Sequence, residues 1–356
     1  MNSILMSADT IGGVWTFALE LTRALGASGT RATRVSLATM GRKLDAGQRR
    51  DAKRIPNLEI FESDFKLEWM DNPWDDVRRA GDWLLSLEAR TKPDVIHLNT
   101  PVHGALPWSA PTLITGHSCV LSWWQAVKRE QAPPKWDRYR AEVKRSLNAA
   151  GLITAPTRTM LNALREQYDF SAEAVVVSNG AERPRCNAAK ESFILSAGRL
   201  WDEGKNVAAL DRVASLLPWP VYLAGEKGAF NSATMLGRIS SEELAKWYAR
   251  ASIYCLPARY EPFGLSILEA ALSGCALVLG DIPSLREVWG DAATFVAPDD
   301  DEQLEAALHS LIEDEAGREE MATRAMKRAS RFTPERMADG YSAAYRQAAV
   351  SALCAF

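Results

Sequence analysis

Arg259-Tyr-Glu-Pro-Phe-Gly-Leu-Ser-Ile-Leu-Glu269-Ala270 decides the fold. The run before it, Ser252 to Leu256, is apolar and β-prone. The stretch Leu265 to Leu272 consists of strong helix formers, with Pro262 and Gly264 at the join, so the segment reads strand, loop, helix. A helix that begins near Gly264 offers unpaired backbone N–H groups and the positive end of its dipole to an anion. Glu269 falls about one turn further in and faces back toward that mouth. A carboxylate there accepts from two vicinal hydroxyls, as on a ribose, while Glu261 in the loop reaches a second hydroxylated ring. Two carboxylates around a helix N-terminus imply a cradle for two sugars joined through a diphosphate.

Outward from this segment, strands and helices alternate twice over. In the first half, strands are expected at Ser3 to Met6, Thr33 to Ala38, Leu58 to Phe61, Asp94 to Leu98, Thr112 to Thr115, Leu152 to Ala155 and Val175 to Ser178. Helices are expected near 12–26, 74–90, 136–150 and 158–168. The second half gives strands at Phe193 to Ala197, Val221 to Ala224, Ile253 to Leu256, Leu277 to Leu279 and Thr294 to Val296. Such alternation predicts an α/β protein with a parallel sheet covered by helices in each half. The polar stretch Asn179 to Glu191, which contains Pro184, is the expected boundary. The domains are therefore 1–180 and 181–333, with a terminal helix beyond Pro334 in 334–356.

Length and charge set broad limits. The 356 residues suit about two domains. Lys and Arg total 42 against 45 Asp and Glu, a near-neutral balance that gives no reason to expect nucleic acid as a partner. Five scattered cysteines lack disulfide or metal spacing, which points to a reducing cytoplasm. The N-terminus reads as a first strand and lacks the basic and apolar regions of a signal peptide. No apolar run reaches the ~20 residues of a membrane span.

The other strand ends carry candidate ligand loops. In Asp9-Thr-Ile-Gly12-Gly13-Val-Trp15, the glycines allow close backbone approach and the helix start supplies donors. A plain helix-start turn is the competing reading. Thr115-Gly-His117-Ser118 places a histidine at a strand end, where a satisfied loop histidine is the alternative. Gly116-His117-Ser118 also resembles part of a nucleophile elbow, but Val120 occupies the place of its last glycine, so a hydrolase is excluded. Ser196-Ala-Gly198-Arg199-Leu-Trp-Asp-Glu-Gly204-Lys205-Asn206 fails as a Walker A loop. Five residues separate its glycines where four are required, and Asn206 replaces the Mg-binding Ser or Thr. Arg199 supplies a planar fork for phosphate and Lys205 a point charge, against the alternative of a solvated basic loop. Ala224-Gly225-Glu226-Lys227-Gly228 ends another strand, and Leu236-Gly-Arg-Ile239 precedes a helix capped by Ser240 or Ser241. His97, His103, His117 and His309 show no metal-ligand spacing, and Asp299-Asp-Asp301 reads as a helix N-cap cluster, so no metal and no cofactor are expected.

With its companions, the opening segment resembles the E-x7-E signature of the family-four retaining glycosyltransferases. The family's other landmarks occur here in order over almost the whole chain. The resemblance implies the GT-B fold: two Rossmann-like domains facing across a cleft, with the last helix crossing back onto the first. It implies that Gly12 and Gly13 meet the donor phosphates and the acceptor, and that His117 hydrogen-bonds the donor sugar. Arg199 and Lys205 would grip the departing diphosphate. Gly225 would lie beside the nucleotide and Ile239 would hold the base through its backbone, with Phe263, Gly264, Leu265 and Glu269 completing the donor side and Glu261 holding the sugar. Here Glu203-Gly204-Lys205 stands where many members have Lys-Gly, which puts the lysine register in question.

The activity so implied is metal-independent transfer of a hexosyl group from a UDP- or GDP-sugar to a hydroxyl, with retention. Arg199, Lys205 and a helix N-terminus take the place of a Mg ion. A GT-B sugar phosphorylase and a non-catalytic sugar-nucleotide or glycan-binding protein remain as alternatives. On the acceptor side, Trp123 and Trp124 are candidates for stacking on a sugar ring, with packing as the competing role. The acceptor is left open among sugars, lipid-linked glycans and small molecules. A helix from Pro134 carrying Lys135, Arg138, Arg140, Lys144 and Arg145 is a candidate for peripheral contact with the inner membrane face; Asp137 and Glu142 dilute it, and a solvated amphipathic helix is favoured.

Overall fold

The computed structural model of the chain describes residues 2–27, 33–184, 186, 188–226, 228 and 230–354. The chain divides into two compact units, one of residues 1–125, 130–180 and 334–356, the other of 126–129 and 181–333.

The first unit is built on a seven-stranded sheet in which every pairing is parallel. Its strands are β1 (Ser3–Asp9), β2 (Arg34–Met40), β3 (Leu58–Glu62), β4 (Val95–Leu98), β5 (Thr112–Thr115), β6 (Leu152–Ala155) and β7 (Ala174–Val176), in the order β3-β2-β1-β4-β5-β6-β7. The central strands are buried along their whole length because helices cover both faces. The connecting helices are α1 (Gly13–Ala27), α2 (Ala46–Lys53), α3 (Trp74–Thr91), α4 (Val120–Lys128), α5 (Asp137–Ala149) and α6 (Arg158–Tyr168). Strand order reverses between β1 and β4, which makes the carboxyl ends of those two strands the crevice where such sheets bind ligands.

The second unit repeats the plan with β8 (Glu191–Ala197), β9 (Val221–Ala224), β10 (Thr234–Gly237), β11 (Ala251–Leu256), β12 (Ala276–Gly280) and β13 (Thr294–Val296), ordered β10-β9-β8-β11-β12-β13. Its helices are α7 (Val207–Ala214), α8 (Ser241–Arg250), α9 (Leu265–Leu272), α10 (Pro283–Trp289), α11 (Asp301–Glu313) and α12 (Glu315–Ala329). The reversal here lies between β8 and β11. The chain ends in α13 (Pro334–Cys354), which belongs to the first unit and packs on α1. Its face of Ala338, Tyr341, Ala344, Tyr345 and Ala348 is buried there. At Gly340 the approach is so close that a Cβ would stand 2.7 Å from a Val177 methyl.

Three elements escape the sequence pattern. Helix α2 is polar, burying only Gln48 and Ala52, so it has no apolar stripe to read; a capping box between Asp45 and Gln48 starts it. Helix α4 mixes tryptophans and β-branched residues and fully buries only Leu121 and Ser122. Strand β10 sits at the sheet edge, half-exposed, with a register irregularity between Met235 and Gly237. In the basic stretch of α5, Tyr139, Val143 and Leu147 face the core, Arg138 lies 4.5 Å over the Trp74 ring, Arg145 pairs with Glu142 and Lys144 lies 3.5 Å from Asp169. Among the described residues no helix is long and apolar enough to cross a membrane.

Candidate active site

In the second unit, the loops after β8 and β11 are tied together at the strand-order reversal. Asp202 organises the first loop. One of its carboxylate oxygens accepts from the Gly204 amide at 2.9 Å and the other from the Arg199 guanidinium at 3.0 Å. The Gly204 carbonyl accepts the amides of Arg259 at 2.9 Å and Tyr260 at 3.0 Å, joining it to the second loop. Asn206 adopts a left-handed φ of 53°, a conformation asparagine tolerates better than most residues. Its side-chain amide donates to the carbonyls of Pro257 at 2.9 Å and Pro298 at 2.6 Å. Across this seam the Lys205 ammonium pairs with the Glu261 carboxylate, both largely buried. The Glu261 carbonyl is itself held by Ser284 Oγ at 2.6 Å.

Gly264, at φ 90°, caps α9, and Leu265 begins the helix, so the first-turn N–H groups open where the loops meet. Glu269 is half-buried on α9 beside two sunken tyrosines. Burial and then the Glu269 charge push the Tyr248 phenol well up. Burial likewise raises Tyr254, whose hydroxyl lies 2.8 Å from Ser266 Oγ and 3.1 Å from the Ala197 carbonyl. Phe263 is a core side chain, edge-on to Phe332 with 5.5 Å between centroids, so only its backbone is available to a ligand. Ile239 and Leu265 are partly buried and pack on the same core. Gly225 is demanded by packing, since a Cβ there would meet the Gly198 carbonyl oxygen at 2.1 Å. The aspartate run is spent on structure. Asp300 caps α11 through Gln303 N at 2.8 Å, Asp299 pairs with Arg259 at 2.8 Å and Asp301 with Arg212 at 2.6 Å. Among the described residues no cluster of His, Cys, Asp or Glu is arranged to hold a metal ion.

The first unit brings Gly12, Gly13 and His117 to the carboxyl end of its sheet. Asp9 accepts the Ile11 amide at 2.5 Å and Thr10 Oγ1 donates to the Arg42 carbonyl at 2.8 Å, so the turn into α1 is braced from both sides. Gly12 and Gly13 take no positive φ; what they provide is bare backbone at the helix start. His117 follows β5 with its ring 4.4 Å from Phe17 and Nε2 2.7 Å from Asn99 Oδ1. The residue is half-buried, and desolvation pushes its pKa down to about 3, so it is neutral at pH 7. Behind it His97 is fully buried, bridging Tyr345 OH at 2.8 Å and Thr115 Oγ1 at 2.7 Å, and burial above all holds it neutral. Glu68, 6% exposed in the loop after β3, has its carboxyl pushed up to about 7 by burial; its own backbone lowers it and Asp9 raises it. Trp123 and Trp124 stand on α4, both half-buried, edge to face at 5.9 Å.

Asn99, Asp202, Tyr248, Tyr254 and Glu68 are polar residues of these regions that the sequence did not single out, and Asn206 enters the sequence reading only as a departure from a Walker A loop. Asn206 alone carried a signal, an asparagine directly before a helix. Asp202 acts on its own loop, through Arg199 and Gly204, whereas Asn99 meets Ser7 from 92 residues away.

Comparison with known proteins agrees with this anatomy. The model of glycosyltransferase family 4 matches residues 11–183 and that of glycosyl transferases group 1 matches residues 217–328. An O-antigen chain mannosyltransferase B of Escherichia coli is 30% identical over 225 residues, covering 53% of this chain and 59% of the relative. A glycogen synthase of Mycobacterium tuberculosis is 31% identical over 185 residues, 44% of each chain. The chain thus spans about half the length of these relatives. Sucrose-phosphate synthase from Thermosynechococcus elongatus superposes with a TM-score of 0.76 at 19% identity, over 98% of this chain and 99% of that one. Anabaena HepE in complex with UDP-glucose gives 0.75 at 16% identity, over 97% and 99%. Two Rossmann-like units on which these family models fall in succession make the chain a member of glycosyltransferase family 4, group 1 type, with the GT-B fold.

Proposed function

We propose that this protein transfers a hexosyl group from a nucleoside diphosphate sugar, UDP- or GDP-linked, to an acceptor hydroxyl, with retention at the anomeric carbon and without a metal ion. The observation that carries this reading is the meeting of Arg199, Lys205 and Glu261 with the N-terminus of α9 at the strand-order reversal of the second sheet. A diphosphate suits the two cations and the helix N–H groups, and Glu269 on α9 suits the ribose diol. As the glycosidic bond breaks, negative charge gathers on the departing diphosphate, where preorganised cations stabilise it. Phosphate arriving at Lys205 frees the Glu261 carboxylate from its ion pair, and that carboxylate then accepts the sugar's hydroxyls. The acceptor hydroxyl enters on the face the diphosphate leaves and gives its proton to the leaving phosphate oxygen. Glu261 faces Lys205 and Glu269 sits by Tyr248, so they do not act as the paired carboxylates of a glycosidase.

The names of the relatives favour the same reading: one is a mannosyltransferase, another a glycogen synthase, and a structural neighbour carries UDP-glucose. Cys119, Cys186, Cys255 and Cys275 are free thiols, in keeping with a cytoplasmic enzyme. The test is release of UDP from UDP-glucose, or GDP from GDP-mannose, in EDTA with a panel of hydroxyl acceptors, followed by NMR of the product's anomeric proton. Release with the donor's configuration kept is expected. Phosphorolysis without nucleotide release, or binding without turnover, contradicts it.

A further inference from the structure

Asn99 stands directly after β4 at the strand-order reversal of the first sheet, and both ends of its side-chain amide have partners. Its backbone N–H donates to Ser7 Oγ at 3.0 Å and its side-chain nitrogen to the Ser7 carbonyl at 2.7 Å. A carbonyl only accepts, so the amide nitrogen faces Ser7 and the amide oxygen faces His117 Nε2, 2.7 Å away. That oxygen also only accepts, so the proton of the neutral imidazole resides on Nε2. Nδ1 bonds no described residue and is not among the sealed buried atoms, so it opens to solvent. Phe17 covers one side of the ring. From this chain of contacts we infer that Asn99 is a positioning residue that locks His117 as the Nε2–H tautomer, leaving Nδ1 to accept a hydrogen bond from a substrate hydroxyl.

The consequence is a choice of ligand chemistry. A phosphate or carboxylate oxygen is itself an acceptor and finds no proton at Nδ1, whereas a sugar hydroxyl donates its own proton to that nitrogen. The ring does not switch to imidazolium to accommodate an anion, since desolvation holds it neutral. The titratable group beside it is His97, also neutral, backed by the raised phenols of Tyr341 and Tyr345 on α13. The identity of the hydroxyl rests on the transferase reading; the tautomer does not.

Side-chain 15N NMR of the intact chain at pH 7 tests the assignment, with His117 identified by the signal lost in His117→Gln. The expected spectrum has a directly bonded proton on Nε2 and none on Nδ1. A proton on Nδ1, or on both, overturns the proposal whatever the activity. Asn99→Asp sets a carboxylate against Nε2 and is expected to raise the ring pKa by about two units or more. It then gives turnover an acid limb that the wild type lacks. Asn99→Leu, which removes the acceptor, is expected to populate the Nδ1–H form. A tautomer and a titration unmoved in folded Asn99 variants overturn the role of Asn99. If the tautomer stands but no glycosyl transfer is found, the transferase reading fails and this assignment does not.

Discussion

At the carboxyl edge of the first sheet the histidines have neutral partners: His97 between Tyr345 and Thr115, and His117 against Asn99. The same edge of the second sheet is ionic, with Arg199 on Asp202, Lys205 on Glu261 and Arg259 on Asp299. Both sheets are parallel, both reverse strand order beside these groups, and both open a helix there. One scaffold therefore presents two chemistries. Uncharged hydrogen bonding suits hydroxylated groups, and fixed cations beside a helix N-terminus suit a diphosphate. What differs is the residue that follows each strand, which is why function here is written in loops.

If the second edge is ionic by design, breaking its buried pair is the harshest test. Lys205→Ala leaves the Glu261 carboxylate buried and unpaired and is expected to cost about 3–5 kcal/mol of stability along with turnover. Urea unfolding measures it, and a loss under about 1 kcal/mol shows that the pair is open to water. The neutral edge has its own carboxyl. Glu68 is raised from an ordinary 4.5 to about 7, so the folded state binds its proton more tightly than the unfolded chain. That contribution is complete below pH 4.5 and is lost as pH rises through 7. Glu68→Gln is expected to match the wild type at pH 4 and exceed its stability by about 3 kcal/mol at pH 8. Equal stabilities at pH 8 contradict the burial argument.

Arg199→Ala sharpens the comparison from the catalytic side. Its guanidinium is partly exposed and Asp202 keeps the Gly204 amide, so the fold is expected to hold while kcat falls by about 100-fold. Unchanged kcat removes Arg199 from the diphosphate grip. The smallest effect belongs to Tyr345→Phe, which deletes one neutral hydrogen bond to His97 and is expected to cost about 1 kcal/mol in melting experiments, with little change in donor affinity.

The fold was legible because short β-prone runs rich in branched and apolar residues are set between turns and helices: Thr112–Thr115, Leu152–Ala155, Val221–Ala224 and Thr294–Val296 stand where the pattern places them. The start of α9 behind Gly264 and the cap at Ser240 were readable for the same local reasons, a backbone needing glycine and an orphan N–H needing a hydroxyl. Helix α2, which has no apolar stripe, and strand β10, four residues at the sheet edge with an irregular register, were not. In the candidate site the sequence names Arg199, Lys205, Glu261 and Glu269, but nothing local announces that Lys205 and Glu261, 56 residues apart, pair. Contacts across dozens of residues depend on how strands are ordered, and a single chain's pattern does not encode that order locally.

The central claim is that the ionic edge of the second unit binds a nucleoside diphosphate without metal. Isothermal titration of UDP and of GDP into wild type and Arg199→Ala, both in EDTA, tests it most directly. The account predicts metal-free binding of one of the two to the wild type and a loss of tenfold or more in the variant. Binding that requires Mg, binding of neither, or equal affinity in the variant contradicts it.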